Sequence, residues 1–276
     1  MEEAPKDLEK LEIELLLQGL YAWYGYDYRD YAYHSIRRRV LYRMQAEGVA
    51  TVTGLLDKLL RDPECLRRLV SDFSIHVTEM FRDPSFFYAF REQVVPMLRT
   101  YPSLRIWHAG CSTGEEVYSM AILLEEEGLY DKATIYATDM SAKALKTAKA
   151  GMFPLADMKK FTGNYMRAGG KGAFSDYYNV LDGGVRFHPR LTKNVVFAQH
   201  NLVTDGSFNE FNVIFCRNVL IYFNKALQEK VHGLFYESLG LFGILGLGDK
   251  ETIAYTKHAD GYEEVQRGEK LYRKVK

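Results

Sequence analysis

The chain has 276 residues, 47% hydrophobic and 26% charged, a composition that excludes a disordered protein and predicts a packed core. This length suits one large α/β domain with a smaller one beside it. Thirty-six basic residues balance 36 acidic ones, so the net charge provides no case for a nucleic-acid partner.

The three cysteines, Cys65, Cys111 and Cys216, lie far apart in the sequence and lack metal-ligand spacing. Neither a disulfide framework nor a metal site is therefore expected. The first ten residues are charged and contain no apolar signal region. Because no stretch approaches the ~18 apolar residues that span a bilayer, we expect a cytoplasmic protein without membrane insertion.

The first 90 residues show the apolar spacing of helices. Leu8, Leu11, Leu15 and Leu16 recur at intervals of three and four residues. Further helices are predicted to begin at Asp30, at Thr53 and at Asp62-Pro, where proline would occupy the first turn. Residues 1–90 are therefore predicted to form an all-helical N-terminal domain.

After Pro102, short apolar runs alternate with helical stretches. The predicted strands are Leu104–Ala109, Thr134–Thr138, Val195–Ala198, Val213–Cys216 and Phe242–Leu247, and the predicted helices are Glu115–Glu127, Ser141–Gly151 and Asn224–Leu239. This alternation predicts an α/β domain over residues 91–276, Rossmann-like and with a mostly parallel sheet. The glycine-rich residues 152–190 interrupt the rhythm and are interpreted as an inserted subdomain.

The first predicted strand ends in His108-Ala-Gly-Cys-Ser-Thr-Gly-Glu-Glu, with a helix directly after it. Gly110 and Gly114 would let the backbone approach a ligand at the carboxyl end of the strand. The pattern is neither the G-x-G-x-x-G of dinucleotide-binding folds nor a P-loop. Phosphate binding, and with it an NAD-dependent dehydrogenase, is therefore disfavoured.

The acidic pair Glu115-Glu116 favours a different ligand. Carboxylates would repel a pyrophosphate, but they accept hydrogen bonds from an ammonium group, which S-adenosylmethionine (SAM) carries. The second strand ends at Asp139, where a carboxylate could bind a ribose diol. Asp139 could instead cap the next helix. We favour the ribose ligand because the first loop is also present.

Three segments together resemble the CheR family, the glutamate methyltransferases of chemotaxis receptors. They are Val77-Thr-Glu-Met-Phe-Arg-Asp-Pro, Ser112-Thr-Gly-Glu-Glu-Val-Tyr-Ser and Phe215-Cys-Arg-Asn-Val-Leu-Ile-Tyr-Phe. They occur in the family's order, and the resemblance covers nearly the whole chain. It implies a SAM-dependent methyltransferase domain with a small β-subdomain insertion behind an all-helical domain.

The resemblance also implies site residues. Arg82 and Tyr222 would be catalytic and would hold the substrate carboxylate. The residues implied to bind SAM, or its product S-adenosylhomocysteine, are His76, Thr78, Arg82, Gly110, Glu115, Asp139, Asn201, Leu202, Arg217 and Asn218. Outside these motifs, Arg82 could simply pair with Asp83 or Asp72, and Tyr222 could be a core aromatic.

Two positions depart from the family pattern. His76 stands where many relatives have Asn, and it adds a group that titrates near pH 6.5. Phe242 replaces the first glycine of a glycine-rich strand near the end of the chain. Neither change removes the chemistry of a motif.

The implied partner is the cytoplasmic helical region of methyl-accepting chemotaxis receptors. Arg37, Arg38, Arg39 and Arg43 form a basic patch on the second predicted helix that could dock this acidic region, or they could be a solvated helix face. Some relatives use the β-subdomain to bind a receptor peptide, which its glycines neither favour nor exclude. Two further readings are a same-fold methyltransferase of another signalling system and a degenerate SAM-binding module.

Overall fold

The computed structural model describes residues 4–73 and 78–276. The chain divides into two compact units. We call residues 4–73 with 221–228 the helical unit, and residues 78–220 with 229–276 the α/β unit. None of the described helices is long and apolar enough to cross a membrane.

The helical unit contains four helices, which are α1 (Ala4–Tyr24), α2 (Tyr33–Ala46), α3 (Val52–Arg61) and α4 (Pro63–Phe73). The buried face of α1 differs from the one predicted, because Leu8, Leu11 and Leu15 are about half exposed. Only Leu16 of the predicted set is buried, together with Ile13, Leu17 and Leu20. The helix carries apolar residues on two faces, and periodicity alone does not select between them.

The second helix begins at Tyr33, three residues after the predicted start at Asp30. Asp30 and Ala32 instead bind the segment 222–224. The side chain of Asn224 donates from Nδ2 to Asp30 Oδ1 (3.0 Å), and the Ala32 amide donates to the Tyr222 carbonyl (2.8 Å). These bonds hold the chain before α2 in a non-helical conformation.

The starts of α3 and α4 follow local capping rules. Thr51, and not Thr53, is the N-cap of α3, and its Oγ1 accepts a hydrogen bond from the Gly54 amide at 3.0 Å. The Thr53 hydroxyl donates to Glu12 of α1. Pro63 is the first residue of α4, as predicted from the Asp-Pro pair.

A seven-stranded sheet forms the centre of the α/β unit, in the order β6-β2-β1-β7-β8-β10-β9. Its strands are β1 (Leu104–Ala109), β2 (Ala133–Asp139), β6 (Val195–Gln199), β7 (Phe211–Cys216), β8 (Leu239–Leu247), β9 (Tyr262–Gln266) and β10 (Leu271–Lys274). Its helices include α7 (Glu115–Glu126), α8 (Ala142–Ala150) and, from residue 229, α10 (Lys225–Ser238). The five strands predicted from the sequence pair in parallel, which confirms the Rossmann-like fold class.

The last two strands, β9 and β10, were not predicted. They pair antiparallel to each other, and β10 pairs antiparallel to β8. Both are short and rich in charged residues, with sequences Tyr-Glu-Glu-Val-Gln and Leu-Tyr-Arg-Lys. Strands at the margin of a sheet tolerate this composition, so they lack the apolar run by which the central strands are recognised.

The predicted insertion folds as a β-subdomain. Its three antiparallel strands have the order β3-β5-β4 and are β3 (Met152–Phe153), β4 (Tyr178–Leu181) and β5 (Gly184–Phe187), with α9 (Met158–Arg167) between β3 and β4. Buried carboxylates at the end of α7 bind it. Tyr177 donates to Glu126 (2.9 Å), and Lys171 pairs with Glu127 (2.8 Å).

The segment before β1 packs within the α/β unit, although the sequence placed residues up to 90 in the helical domain. It consists of α5 (Pro84–Ala89), a π-helical turn (Phe90–Val94) and α6 (Val95–Leu98). The rings of Phe86 and Phe90 lie 5.6 and 5.4 Å from that of Phe215 on β7. Pro96 has no N–H for the carbonyl one turn back, which accounts for the widened turn before it.

Phe242 has a left-handed backbone with φ +64°, a conformation that is costly for a bulky residue. It lies in β8 beside the irregular pairing with β7, and its side chain is 54% exposed. Because the ring contributes little buried area, packing does not offset this backbone strain. The position thus has a backbone conformation that suits a glycine better than a phenylalanine.

Phe242→Gly is therefore expected to raise the free energy of unfolding by about 1 kcal/mol, because glycine adopts φ +64° without strain. Phe242→Ala is the matched control, since it removes the ring but keeps a Cβ. Urea denaturation of the three proteins measures both changes. Equal stability of the glycine and alanine variants would contradict backbone strain at this position.

Candidate active site

Four loops meet at one edge of the central sheet. Strands β1, β2, β7 and β8 are mutually parallel, so their carboxyl ends lie at the same edge. The loops that follow them contain residues 110–114, 139–141, 217–220 and 248–251. In open α/β sheets this edge is where ligands bind.

The loop after β1 depends on two glycines with positive φ, Gly110 (+80°) and Gly114 (+98°). A Cβ on Gly110 would lie 2.7 Å from Val219 Cγ2, and one on Gly114 would lie 2.9 Å from the Cβ of Ala148 in α8. The glycines thus allow this loop to pack closely against Val219 and α8. From the sequence alone, the same glycines indicate only a close approach of the backbone to a ligand.

Asp139 joins the first two loops through both carboxylate oxygens. Oδ2 accepts from the Ser112 amide (2.9 Å), and Oδ1 accepts from the Ser141 amide (2.8 Å). The N-cap of α8 is Ser141, whose Oγ accepts from the Ala144 amide. Ser141, and not Asp139, therefore caps α8. A carboxylate has about four acceptor sites, so Asp139 retains capacity for a hydroxyl donor.

Glu115 is the first residue of α7 and is buried at 7% exposure. Both of its carboxylate oxygens accept from the Thr113 hydroxyl, at 2.9 and 2.7 Å. Burial raises the pKa of Glu115, and the bond from Thr113 opposes that rise. A cationic ligand would compensate the cost of this burial, so Glu115 is suited to accept from an ammonium group.

Glu116 has a different role from the one predicted for the acidic pair. One oxygen contacts His108 Nδ1 (2.8 Å), and the other accepts from Arg217 Nη1 (3.0 Å). Burial opposes ionisation, but these two partners outweigh it and lower the pKa of Glu116. Both oxygens of Glu116 are therefore engaged by side chains of the protein. Of the acidic pair, Glu115 is the one suited to a ligand.

Arg217, at the end of β7, is the centre of an ion-pair cluster. Besides Glu116, its guanidinium donates to Asp83 Oδ2 (2.8 Å) and to the carbonyl of Arg82 (3.0 Å). The guanidinium carbon lies 4.0 Å from the ring centroid of Phe86. The side chain of Arg217 is only 2% exposed. Arg217 thus ties the segment containing Arg82 to the sheet.

Two more bonds anchor the segment that contains Arg82. The Phe81 amide donates to Ser119 Oγ of α7 (2.8 Å), and Asn164 Nδ2 donates to the Met80 carbonyl (3.0 Å). The sequence offered Asp83 as a partner for Arg82. In the structure, Asp83 pairs with Arg217 at the end of β7. These contacts bring Arg82 beside the carboxyl edge of the sheet.

Comparison with known proteins identifies the family of the chain. The model of the CheR methyltransferase SAM-binding domain matches residues 76–269, and that of the CheR methyltransferase all-alpha domain matches residues 11–74. The chain belongs to the CheR methyltransferase family. It is accordingly a SAM-dependent methyltransferase, and SAM is its cofactor.

Two proteins similar to this CheR methyltransferase come from bacteria. A Pseudomonas putida protein named "Putative methyltransferase Cher3" is 46% identical over 264 residues, which cover 96% of this chain and 97% of the relative. A "Chemotaxis protein methyltransferase" of Listeria monocytogenes is 31% identical, over 83% of this chain and 85% of the relative. Both similarities extend over most of the two chains.

The site residues of this CheR methyltransferase fit SAM in their chemistry. Glu115 provides a buried acceptor for an ammonium group, and Asp139 provides acceptor sites at the end of β2 for ribose hydroxyls. Backbone amides at the start of α7 favour a carboxylate. The ammonium, the carboxylate and the ribose of SAM thus each have a complementary group at this edge.

The remaining predicted cofactor residues lie in different settings. Thr78 and Asn218 are partly exposed in the α/β unit, and His76 lies outside the described residues. Asn201 follows β6, and its Oδ1 accepts from the Val203 amide (3.0 Å), while Leu202 is buried. The Asn201 loop is therefore ordered by its own bonds before any ligand binds.

Tyr222, predicted to be catalytic, belongs by its contacts to the helical unit. The guanidinium carbon of Arg39 lies 5.3 Å from the centroid of its ring. Tyr222 is partly exposed, so it is not a fully buried core aromatic. Its catalytic role stays a prediction.

The predicted basic patch on α2 is smaller than its sequence indicates. Arg39 and Arg43 are buried, at 5% and 8% exposure. Arg39 donates to Ser35, and Arg43 pairs with Asp72 and Glu47. Arg37, although exposed, pairs with Glu9. Because successive residues of a helix point in different directions, only Arg37 and Arg38 remain to contact a partner.

Glu251 was not singled out by any motif. It follows β8 at the cofactor edge, is 4% exposed, and accepts from backbone amides of the loop after β7. The sequence does not indicate this role, because Glu251 meets the loop after β7 only when β7 and β8 pair in the sheet.

Asp139→Asn is expected to weaken S-adenosylhomocysteine binding by about tenfold or more, because the amide cannot accept from both loop amides and a ribose hydroxyl. Titration calorimetry with S-adenosylhomocysteine measures the change. Ser141→Ala is the control, since it removes the α8 cap at a cost of about 1 kcal/mol in stability but leaves the carboxylate. Wild-type affinity in Asp139→Asn would contradict the ribose role.

Proposed function

We propose that this CheR methyltransferase transfers the methyl group of SAM to glutamate side chains of methyl-accepting chemotaxis receptors. The products would be glutamate methyl esters and S-adenosylhomocysteine. The observation that carries this proposal is the match to both CheR domains, together with relatives named chemotaxis protein methyltransferases. The site would act in the cytoplasm, on the helical region of the receptor.

The chemistry of a glutamate acceptor supports the proposal. A glutamate with pKa ~4.3 is more than about 99% ionised at pH 7, so it is already a nucleophile and needs no general base. His108 is the histidine beside the cofactor loop, and its ring is fully buried, with Nδ1 against Glu116. It is therefore not presented to a substrate, which agrees with a reaction that removes no proton.

The residues would then act by binding and orientation. When bound, SAM supplies a methyl group on a positively charged sulfur. Glu115 and Asp139 would hold the ammonium and the ribose, while Arg82 and Tyr222 would hold the substrate carboxylate in line with that methyl group. Alignment of this kind is worth up to ~7–11 kcal/mol of a barrier.

The first test measures radiolabelled methyl transfer from SAM into membranes that contain chemoreceptors. We expect label that is released as methanol by mild base, because carboxyl methyl esters are base-labile. Arg82→Ala and Tyr222→Phe should lower turnover by about a hundredfold and by about tenfold, with smaller changes in S-adenosylhomocysteine affinity.

Three results would change the interpretation. Stable label on another protein would favour a methyltransferase of a different signalling system, a reading consistent with the unspecific name of the Pseudomonas putida relative. Cofactor binding without label in any protein would favour a degenerate SAM-binding module. Unchanged turnover in Arg82→Ala would remove that residue from the mechanism.

Arg38 is the exposed α2 arginine that we propose contacts the acidic receptor helices. Arg38→Glu should raise the KM for receptor about fivefold at low salt, and the difference should shrink as salt rises, since exposed charges are screened. Arg67→Glu, on an exposed position of α4 in the same unit, is the matched control. Equal effects of the two reversals would argue against docking at α2.

A further inference from the structure

The carboxylate of Glu251 connects the loops after β7 and β8. Its Oε2 accepts from the amides of Gly248 (2.7 Å) and Asn218 (2.9 Å), and its Oε1 accepts from the amide of Val219 (2.9 Å). One side chain from the β8 loop thus binds backbone amides in two loops. Hydrogen bonds to a charged acceptor are stronger than those between neutral groups.

The burial of this carboxylate is costly. Glu251 is 4% exposed, and burial raises its pKa while the bonds from Gly248 and Asn218 oppose that rise. A buried carboxylate is retained in a fold where its hydrogen bonds compensate the loss of water. Here those bonds come from backbone amides at the cofactor edge of the sheet, so what Glu251 stabilises is the shape of that edge.

The two loops approach each other so closely that Gly248 has no room for a side chain. A Cβ on Gly248 would lie 2.8 Å from the Asn218 amide nitrogen and 2.9 Å from Asn218 Nδ2. Asn218 itself has a left-handed backbone, with φ +62°. Outside this environment an asparagine adopts that conformation only as a minor state.

The loop after β7 is therefore held from two directions. The Arg217 side chain is bound to Glu116 and Asp83, and the next three residues present their backbone to Glu251. Loops without regular secondary structure have few other bonds that fix them. Removal of either anchor should leave Asn218 free to relax toward an ordinary backbone conformation.

We propose that Glu251 is a positioning residue of the cofactor site, which acts by fixing the backbone of Asn218 and Val219. It does not need to touch SAM itself. The inference rests on the proposed role of Asn218 as a cofactor contact, and it adds a residue that lies outside the three motifs. It predicts that a substitution of Glu251 weakens cofactor binding, although this side chain need not contact the cofactor.

Glu251→Gln tests this role, because its NH2 group cannot accept from a backbone amide. S-adenosylhomocysteine affinity, measured by titration calorimetry, should fall about tenfold or more. In the transfer assay the KM for SAM should rise by a similar factor, whereas kcat at saturating SAM should change less than about threefold. Such a split is typical of an altered binding site.

Glu127→Gln is the matched control. Glu127 is also a buried carboxylate of the α/β unit, but it pairs with Arg91, Arg99 and Lys171 at the β-subdomain. If Glu251 acts locally on the cofactor edge, Glu127→Gln should lose stability but keep its affinity for S-adenosylhomocysteine. Equal losses of affinity in both variants would mean that general destabilisation is the cause, and the proposal would be wrong.

Hydrogen exchange provides a readout that requires no cofactor. In cofactor-free protein, Glu251→Gln should speed exchange in the peptide that covers residues 217–220, while Glu127→Gln leaves it unchanged. If Glu251→Gln fails to fold, Glu251→Asp keeps the charge but shortens the reach by one methylene. Wild-type exchange and wild-type affinity in the variant that folds would overturn the inference.

The failure of this inference differs from the failure of the proposed function. Wild-type protein that labels receptors, with Glu251→Gln binding S-adenosylhomocysteine normally, would leave the function intact and remove only Glu251. Wild-type protein that binds the cofactor but labels no receptor would contradict the proposed acceptor and leave the role of Glu251 untouched.

Discussion

The guanidinium of Arg217 lies between carboxylates from two different segments, Glu116 at the start of α7 and Asp83 before α5. It also holds the carbonyl of Arg82. Because the side chain of Glu116 is only 19% exposed, loss of the arginine would remove one of its two side-chain partners and destabilise the protein. Together with the bonds to Phe81 and Met80, this side chain holds the Arg82 segment against the sheet.

The other loops at the cofactor edge are fixed by a second kind of interaction, in which a carboxylate accepts from backbone amides. Asp139 binds the loops after β1 and β2, and Glu251 binds those after β7 and β8. These carboxylates satisfy amides that lie beyond the strand ends, where the hydrogen-bond ladder of the sheet stops. The consequence is a binding edge whose shape exists before the ligand arrives, which reduces the ordering cost of binding.

Much of the fold was predictable from the sequence, since the central strands are short apolar runs and helices follow β1, β2 and β7. β1 has the predicted bounds, and α7 and α8 differ from theirs by one or two residues. The predictions failed where more than one local choice was available. Helix α1 has apolar residues on two faces, and the sequence did not show which of them is buried. The charge of the α2 arginines predicted an exposed patch, but Arg39 and Arg43 are buried, and Arg43 pairs with Asp72 of α4.

The sequence by itself determined the alternation of strands and helices, the glycine-containing loop after β1 and the three motifs of the family, because these depend on residues close together in the chain. Only the tertiary structure decided that Glu116 binds Arg217 and His108, that Asp139 accepts from the Ser112 amide, and that Glu251 reaches Asn218. These contacts join residues up to 101 positions apart. Their partners are chosen by which strand ends become neighbours in the sheet, and local sequence patterns carry no information on that order.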